Sequence, residues 1–305
     1  MSIMTTGGFA KLLTPGIKKI YGDKYNKHQV EYTEIFSTEN STRAYEEYMG
    51  VTGFGLAQRK SEGQPIAMDQ MRQGFTTRAT NVTYALGFII TRELYEDDQY
   101  DKIASQRSKA LAFSMRQTKE IVGANLINRG YTAGYTFGDG QVLFSATHPN
   151  VAGGTFSNTL AVAADLSSAS LEQMAIDISN FTDDRGLKIA VMPRKLLIPT
   201  ALMFEAERIL KSALEYDTAN NAINAIKSKN IFPEGIAVNH YLTDSDAFSI
   251  LTNQEGLVYQ ERRSDEFEPT AENDWDTENA RYKASGRYAF TCYDPRAAYG
   301  NGGGA

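Results

Sequence analysis

The chain of 305 residues has a single cysteine, Cys292, which excludes an intramolecular disulfide framework and any cysteine-built zinc site. Cys292 follows the alternating residues Tyr288 and Phe290 and reads as a small buried apolar residue, not a nucleophile. Long hydrophobic runs are missing too. The longest, Tyr84 to Ile90, is interrupted by Gly87 and falls far short of the ~20 apolar residues that a membrane-spanning helix needs. Residues 1–13 lack a charged start followed by an apolar block, so a soluble, intracellularly made protein is expected. The glycine signatures of nucleotide-binding loops, the Gly-x-Ser-x-Gly elbow and the His-Glu-x-x-His zinc helix do not occur. Three histidines, His28, His148 and His240, leave few general bases for a hydrolase. No cofactor or metal is expected.

What is present is a globular composition. With 42% hydrophobic and 22% charged residues, the chain can build a core and carries too little charge to stay disordered. Its length exceeds the ~100–200 residues of one domain, so two packed units or one elaborated unit are expected. Acids outnumber bases, 37 to 31, which excludes affinity for DNA or anionic membrane as a whole-surface property. The excess is local. Between Glu261 and Glu278 eight acids stand against two bases, Arg262 and Arg263, a sum of −6 that leaves the rest of the chain neutral.

Residues 1–50 show little periodicity, with breaks at Pro15-Gly16, Gly22-Asp23 and the polar run Ser37 to Arg43. Their scattered apolar residues, Leu12 to Phe36, read as an extended arm that packs on something else. Residues 51–80 are punctuated by Gly53, Gly55, Gly63 and Gly74, and β-formers gather from Phe75 to Ile90. That pattern predicts a long two-stranded ribbon with too few core residues to stand alone. Acids at Glu96, Asp97, Asp98 and Asp101, bases at Arg116, Lys119 and Arg129, and apolar residues at Ala104, Leu111, Met115, Val122 and Leu126 predict a helix over about 96–130, closed by Gly130. A short strand at Gln141–Phe144, a helix over 166–186, strands near 189–198, 236–242 and 256–259, and a helix from Ala201 to about Leu214 follow. Arg281 to Tyr293 alternates and is expected to rejoin a sheet. Separated helices and non-adjacent strands make the class α+β, not alternating βαβ.

Candidate chemistry is sparse. His148, within Ser145-Ala146-Thr147-His148-Pro149, reads as a structural turn histidine. His240 with Asp244 and Asp246 reads as a capped turn before Ala247 to Leu251 rather than a metal site. The acidic segment with Asp265, Glu266, Glu268, Glu272, Asp274 and Asp276 lacks the spacing of a calcium loop and reads as a solvated loop or a subunit contact. Arg59, Lys60, Arg72 and Arg78 have no interleaved aromatic platform before Phe75, which favours contact with an acidic protein surface over nucleic acid. These acids and bases are the inter-subunit contact candidates. No residue is assigned a catalytic role.

Five motifs recur along the chain in a telling order: Val82 to Asp98, ending in Glu96-Asp97-Asp98-Gln99; Gly138-Asp139-Gly140-Gln141-Val142-Leu143-Phe144-Ser145-Ala146-Thr147-His148-Pro149; Asn180-Phe181-Thr182-Asp183-Asp184-Arg185-Gly186; Pro193-Arg194-Lys195-Leu196-Leu197-Ile198-Pro199; and Asp294-Pro295-Arg296-Ala297-Ala298-Tyr299-Gly300. With the arm, the ribbon and the long helix, they resemble the major capsid proteins of tailed phages, the Hong Kong 97-type fold, and most closely the Mu-like major head subunit group. The resemblance implies an N-terminal arm at 1–50 and an E-loop β-ribbon at 51–87. It implies a peripheral domain at 88–165 and 276–305, carrying the spine helix, and an axial domain at 166–275.

The implied function is structural, not enzymatic: a subunit that self-assembles into hexamers and pentamers of an icosahedral head enclosing double-stranded DNA. Its place is the virion, after assembly in the host cytoplasm. Implied partners are further copies of the chain, a portal and a separate scaffolding protein, since no long charged leader precedes the arm. Packaged DNA is met only by non-specific contact, and no membrane is involved. Lys60 could take the part of the E-loop lysine that some relatives cross-link to a neighbour's asparagine. The acidic segment is expected to meet E-loop arginines of an adjacent subunit. Removal of residues 1–45 is expected to leave a folded monomer unable to build shells. Two other classes fit the sequence: a ring- or tube-forming phage tail or adaptor component, and a hydrolase using His148 or His240.

Overall fold

The computed structural model describes residues 10–91, 93, 100–214, 222–269 and 279–304. Helix α1 (Ala10–Lys27) continues through Pro15-Gly16, where the sequence places a break. Ile17 and Tyr21, one helical turn apart, share a buried face. That face lies on helix α2 (Tyr100–Asn128), and Leu111, Ala112 and Met115 of α2 fill the same cluster with Phe267 and Tyr282. Ile35 and Phe36 enter a second cluster beside Ile127, Phe144, Leu257 and Tyr259. The arm is therefore not without a place in its own core, and the expectation drawn from removing residues 1–45 changes with it. Truncating large buried side chains costs about 2–5 kcal/mol each, so losing four of them would unfold the monomer instead of only disarming it.

At ~1.5 Å per residue, the 29 residues of α2 extend ~44 Å. Glu96, Asp97 and Asp98, read as its acidic start, lie outside the described residues. Gly130, beyond its end, is not left-handed. Glycine is needed there because the Phe144 ring packs where a β-carbon would stand. Helix α2 crosses a four-stranded sheet made of β1 (Ser37–Asn40), β4 (Val82–Ile90), β10 (Leu257–Pro269) and β11 (Ala280–Cys292), in the order β1-β10-β11-β4. The alternation read over Arg281–Tyr293 is β11, so that expectation holds. Val82–Ile90 joins β11 and not the ribbon. Strand β10 contains Asp265, Glu266 and Glu268, so this part of the acidic segment is sheet, not loop. Register shifts between Glu261 and Arg263 and between Arg263 and Glu266 mark bulges in it.

A second sheet, ordered β12-β9-β7-β8, holds β7 (Pro193–Pro199), β8 (Ile236–Asn239), β9 (Phe248–Thr252) and β12 (Ala298–Asn301). Central strand β7 is apolar on both faces. Leu196 and Ile198 meet helices α3 (Ser168–Ser179) and α4 (Met203–Lys211), while Leu197 points to the cluster shared with the first sheet. Sheet membership thus crosses position 276: β10 lies with β4 and β11, and β12 lies with β9. The short strands β5 (His148–Pro149) and β6 (Thr155–Phe156) pair with each other, but Gln141–Phe144 before them forms no strand. Phe137 N–H bonds the Gln141 carbonyl and Phe144 N–H the Gly130 carbonyl, so this segment is a folded loop.

The ribbon is a hairpin of β2 (Tyr45–Val51) and β3 (Gln73–Thr80), paired from Tyr45↔Thr80 to Val51↔Gln73. It starts six residues before the glycine-punctuated stretch. Residues 52–72 between its strands have no helix or strand.

Candidate functional site

Two surfaces and one buried network concentrate the chemistry. The first surface is the hairpin tip. Thr52 is buried, and almost every other residue from Gly53 to Arg72 is exposed. Among them are Phe54, Leu56, Ile66, Met68 and Met71, with Leu56 80% and Met68 91% exposed. Apolar side chains grouped at one protruding end mark an interaction surface. The sequence reading singled out the bases here and passed over these residues, because irregular spacing gives neither a helical nor a strand period. Arg59, Lys60 and Arg72 are exposed at the same tip. Arg78 sits lower, on β3, where its guanidinium meets Glu47 at 2.6 Å across the hairpin and lies 4.4 Å over the Tyr45 ring. Its charge is already paired within the chain.

The tip is tethered at one point. Arg185, in the loop after α3, pairs with Asp69 and donates to the Gln70 carbonyl at 2.5 Å. Asp69 also accepts the Gly55 N–H at 2.8 Å. That backbone bond, with Arg185 and the Gln70 N–H, holds the Asp69 carboxyl down to about 2.

The second surface is the outer face of β10. Glu266 is exposed, and Glu268 meets Lys283 of β11 at 3.1 Å. Glu272, Asp274 and Asp276 lie outside the described residues. Asp265 departs from the expectation of a subunit contact. The bulge beside it turns its side chain inward, where it pairs with Lys119 Nζ at 3.0 Å and accepts the Tyr25 hydroxyl at 2.6 Å. It is a core ion pair, not a surface anchor.

Lys119 and Asp265 belong to a buried network along α2. Lys119 is 3% exposed at its side chain and lies 5.0 Å from the Tyr288 ring centroid and 5.5 Å from that of Tyr259. Arg116 donates to the Tyr25 hydroxyl at 3.3 Å, and burial, followed by Asp265, raises that phenol's pKa. Glu120 accepts the Tyr32 N–H at 2.9 Å and lies 3.6 Å from Arg116, yet its burial outweighs both and raises its pKa. Glu31 donates its N–H to Glu120 at 3.3 Å and spends its carboxylate on His240, at Nδ1 (2.7 Å) and the backbone N–H (2.9 Å). The network joins α1, α2, β10 and the loop after β8.

Both histidines offered for hydrolysis are engaged in holding loops. His148 is buried, with Nδ1 2.6 Å from Asp139 and Nε2 3.1 Å from the Asn158 amide oxygen. Asn158 donates in turn to the carbonyls of Leu143 and Pro295. Ser145, the nearest serine in sequence, bonds Gln141 and Thr147 instead. Beyond His240, Asp244 accepts the N–H groups of Asp246 and Ala247, the capped turn the sequence suggests. It leads into β9. Among the described residues no cluster of three or more His, Cys, Asp or Glu side chains could hold a metal. Cys292 is buried, which pushes its thiol pKa up.

The architecture has counterparts among solved structures. A virus-like particle from Pyrococcus furiosus is 14% identical, with a TM-score of 0.52 over 94% of this chain and 98% of that one. The capsid of bacteriophage JBD30 is 14% identical, with a TM-score of 0.51 over 100% of this chain and 75% of that one. The capsid of an empty GTA particle is 11% identical, with a TM-score of 0.54 over 92% and 91%. At such identities the likeness shows the fold alone, and that fold is the Hong Kong 97 type. No curated protein sequence matches the chain significantly. The sequence model of the family described as "Phage capsid protein" matches residues 74–301, which is 228 of 305. The chain belongs to that family, as a capsid shell subunit of the tailed-phage type.

Proposed function

We propose that this subunit builds hexamers and pentamers of a closed icosahedral head around double-stranded DNA, a structural role and not a catalytic one. The observation that carries the proposal is the hairpin tip. Its apolar side chains stand off the body, and a two-stranded ribbon cannot bury them by itself. Other copies of the chain would cover them, with Arg59, Lys60 and Arg72 set to meet Glu266 and Glu268 of a neighbour. In this reading α2 and the sheet β1-β10-β11-β4 form the peripheral part, the sheet β12-β9-β7-β8 with α3 and α4 the axial part, and β2–β3 the E-loop. A portal and a separate scaffolding protein complete the assembly in the host cytoplasm. Kinship to Mu-like head subunits rests on the sequence motifs.

Negative-stain microscopy of the chain expressed alone tests this. Closed shells or isolated hexamers and pentamers are the expected particles. Rings or tubes would point to a tail or adaptor component, and monomers at high concentration would refute self-assembly.

A further inference from the structure

The neutral balance outside the acidic segment hides a basic element. Helix α1 carries Lys11, Lys18, Lys19, Lys24 and Lys27 against Asp23 alone, a net +4 in 18 residues of a chain whose total is −6. Lys18, Lys19, Lys24 and Lys27 are exposed, and none has an ion-pair partner among the described residues. Beside them on α2, Lys109 is exposed too, next to Ser108, whose hydroxyl donates to the Ile17 carbonyl. Asp23 is the one exposed acid on this face, set between Lys19 and Lys27, so the four exposed lysines leave it strongly basic.

We propose that the lysine face of α1 is a binding surface for the phosphate backbone of double-stranded DNA. The proposal deepens the shell reading, since it names the element that meets the enclosed nucleic acid. Three features favour duplex phosphates. Lys19 and Lys27 are eight residues apart, roughly 80° around the helix and ~12 Å along its axis, a length over which a duplex presents ~7 phosphates. Lysine is a point charge suited to sequence-independent contact. The aromatic rings of α1 face inward, with Tyr21 buried and stacked on Tyr25 at 5.8 Å, so no platform is offered to unstacked bases. An acidic protein helix is a poorer fit, because Ile17 and Tyr21, the apolar residues that could anchor it, are already buried against α2. Four contacts bind weakly in one copy, and a lattice of copies adds them without fixing the DNA at any one place.

The test uses the full-length subunit before shell closure and a short labelled DNA duplex, titrated by fluorescence anisotropy at stepped salt. Lys18→Gln/Lys19→Gln/Lys24→Gln/Lys27→Gln should weaken binding about tenfold or more at low salt and flatten the log–log salt slope by about 3–4. Lys229→Gln should leave both unchanged. Unchanged affinity in the quadruple variant would overturn the proposal, as would subunit that binds polyglutamate but not the duplex. If the variant fails to fold, amine acetylation of the parent subunit with and without duplex decides the matter. Lys18, Lys19, Lys24 and Lys27 should be protected and Lys229 not; equal labelling of all five would overturn the assignment. Because free subunit is used, the result stands apart from whether microscopy finds shells.

Discussion

The carboxylate of Asp265 occupies the space where a β-carbon on Gly286 would stand. The two residues lie on neighbouring strands beside the bulge between Arg263 and Glu266, and the missing side chain lets the carboxylate turn inward to Lys119. Gly286→Ala should push Asp265 off its partner and leave a buried ammonium with only its longer contact, 3.8 Å to Glu261. Breaking such a pair costs about 3–5 kcal/mol, whereas replacing both members by apolar groups of similar volume is near neutral. Urea unfolding should show Gly286→Ala and Asp265→Ala strongly destabilised. Lys119→Met/Asp265→Leu should fall within about 1–2 kcal/mol of the parent, the remainder being the acceptor lost to Tyr25. A double variant as unstable as the singles would show that the pair does more than neutralise itself.

Glu120 gives the network a pH dependence of defined sign. Burial raises its pKa, so the folded chain holds this proton more tightly than the unfolded one. Its favourable contribution is complete below the ordinary glutamate value of ~4.3 and is lost as pH rises through the raised value. Glu120→Gln keeps an oxygen for the Tyr32 N–H and removes the charge. The variant should gain stability relative to the parent as pH rises from about 4 to 7. Denaturant midpoints across that range measure it, and a constant difference would mean that Glu120 titrates alike in both states.

How much was legible in the sequence depended on where each residue's partner lies. Helix α2 declares itself through helical spacing because it buries one face. Strand β11 does so through the alternation of its aromatic residues Tyr282, Tyr288 and Phe290, although both of its faces are covered beyond Ala284. The arm did not. Ile17, Tyr21, Ile35 and Phe36 are too few to set a period, and their partners, such as Phe267 and Tyr259, lie more than 200 residues away. Asp265 was misread for a related reason. Acid content marks a segment as polar, but a bulge decides which of its side chains turns inward, and bulges leave little trace in composition. The tip's bases stood out as charges, while its apolar residues, without rhythm, passed unnoticed. The lysines of α1 were concealed by a whole-chain sum that cancelled them.

The Asp69 tether should be released by acid. Its carboxyl titrates at about 2, below the ordinary aspartate value of ~3.9, because the Gly55 N–H, Arg185 and the Gln70 N–H all favour the ionised form. The tether is therefore fully present above the ordinary value and is lost as pH falls toward 2. Amide-exchange protection at Gly55, corrected for intrinsic rate, should persist at neutral pH and decay over that acid window. In Asp69→Ala it should be missing throughout. Protection at Gly55 that survives the substitution would place the restraint elsewhere.

The tip's apolar residues separate assembly from folding. Leu56 and Met68 are 80% and 91% exposed, so replacing them with aspartate removes nothing from the subunit's own core. Unfolding midpoints should stay within about 0.5 kcal/mol of the parent. Ile198→Ala, in the centre of β7, should instead cost about 2–5 kcal/mol. In the assembled state each apolar side chain buried by a neighbour contributes about 1.5–3 kcal/mol, repeated at every copy of the lattice. Leu56→Asp/Met68→Asp should therefore yield soluble, folded subunits and few or no particles on sedimentation. Particles formed at the parental yield would mean that the tip is not covered by another copy, and the contact that closes the shell would have to be sought on the outer face of β10.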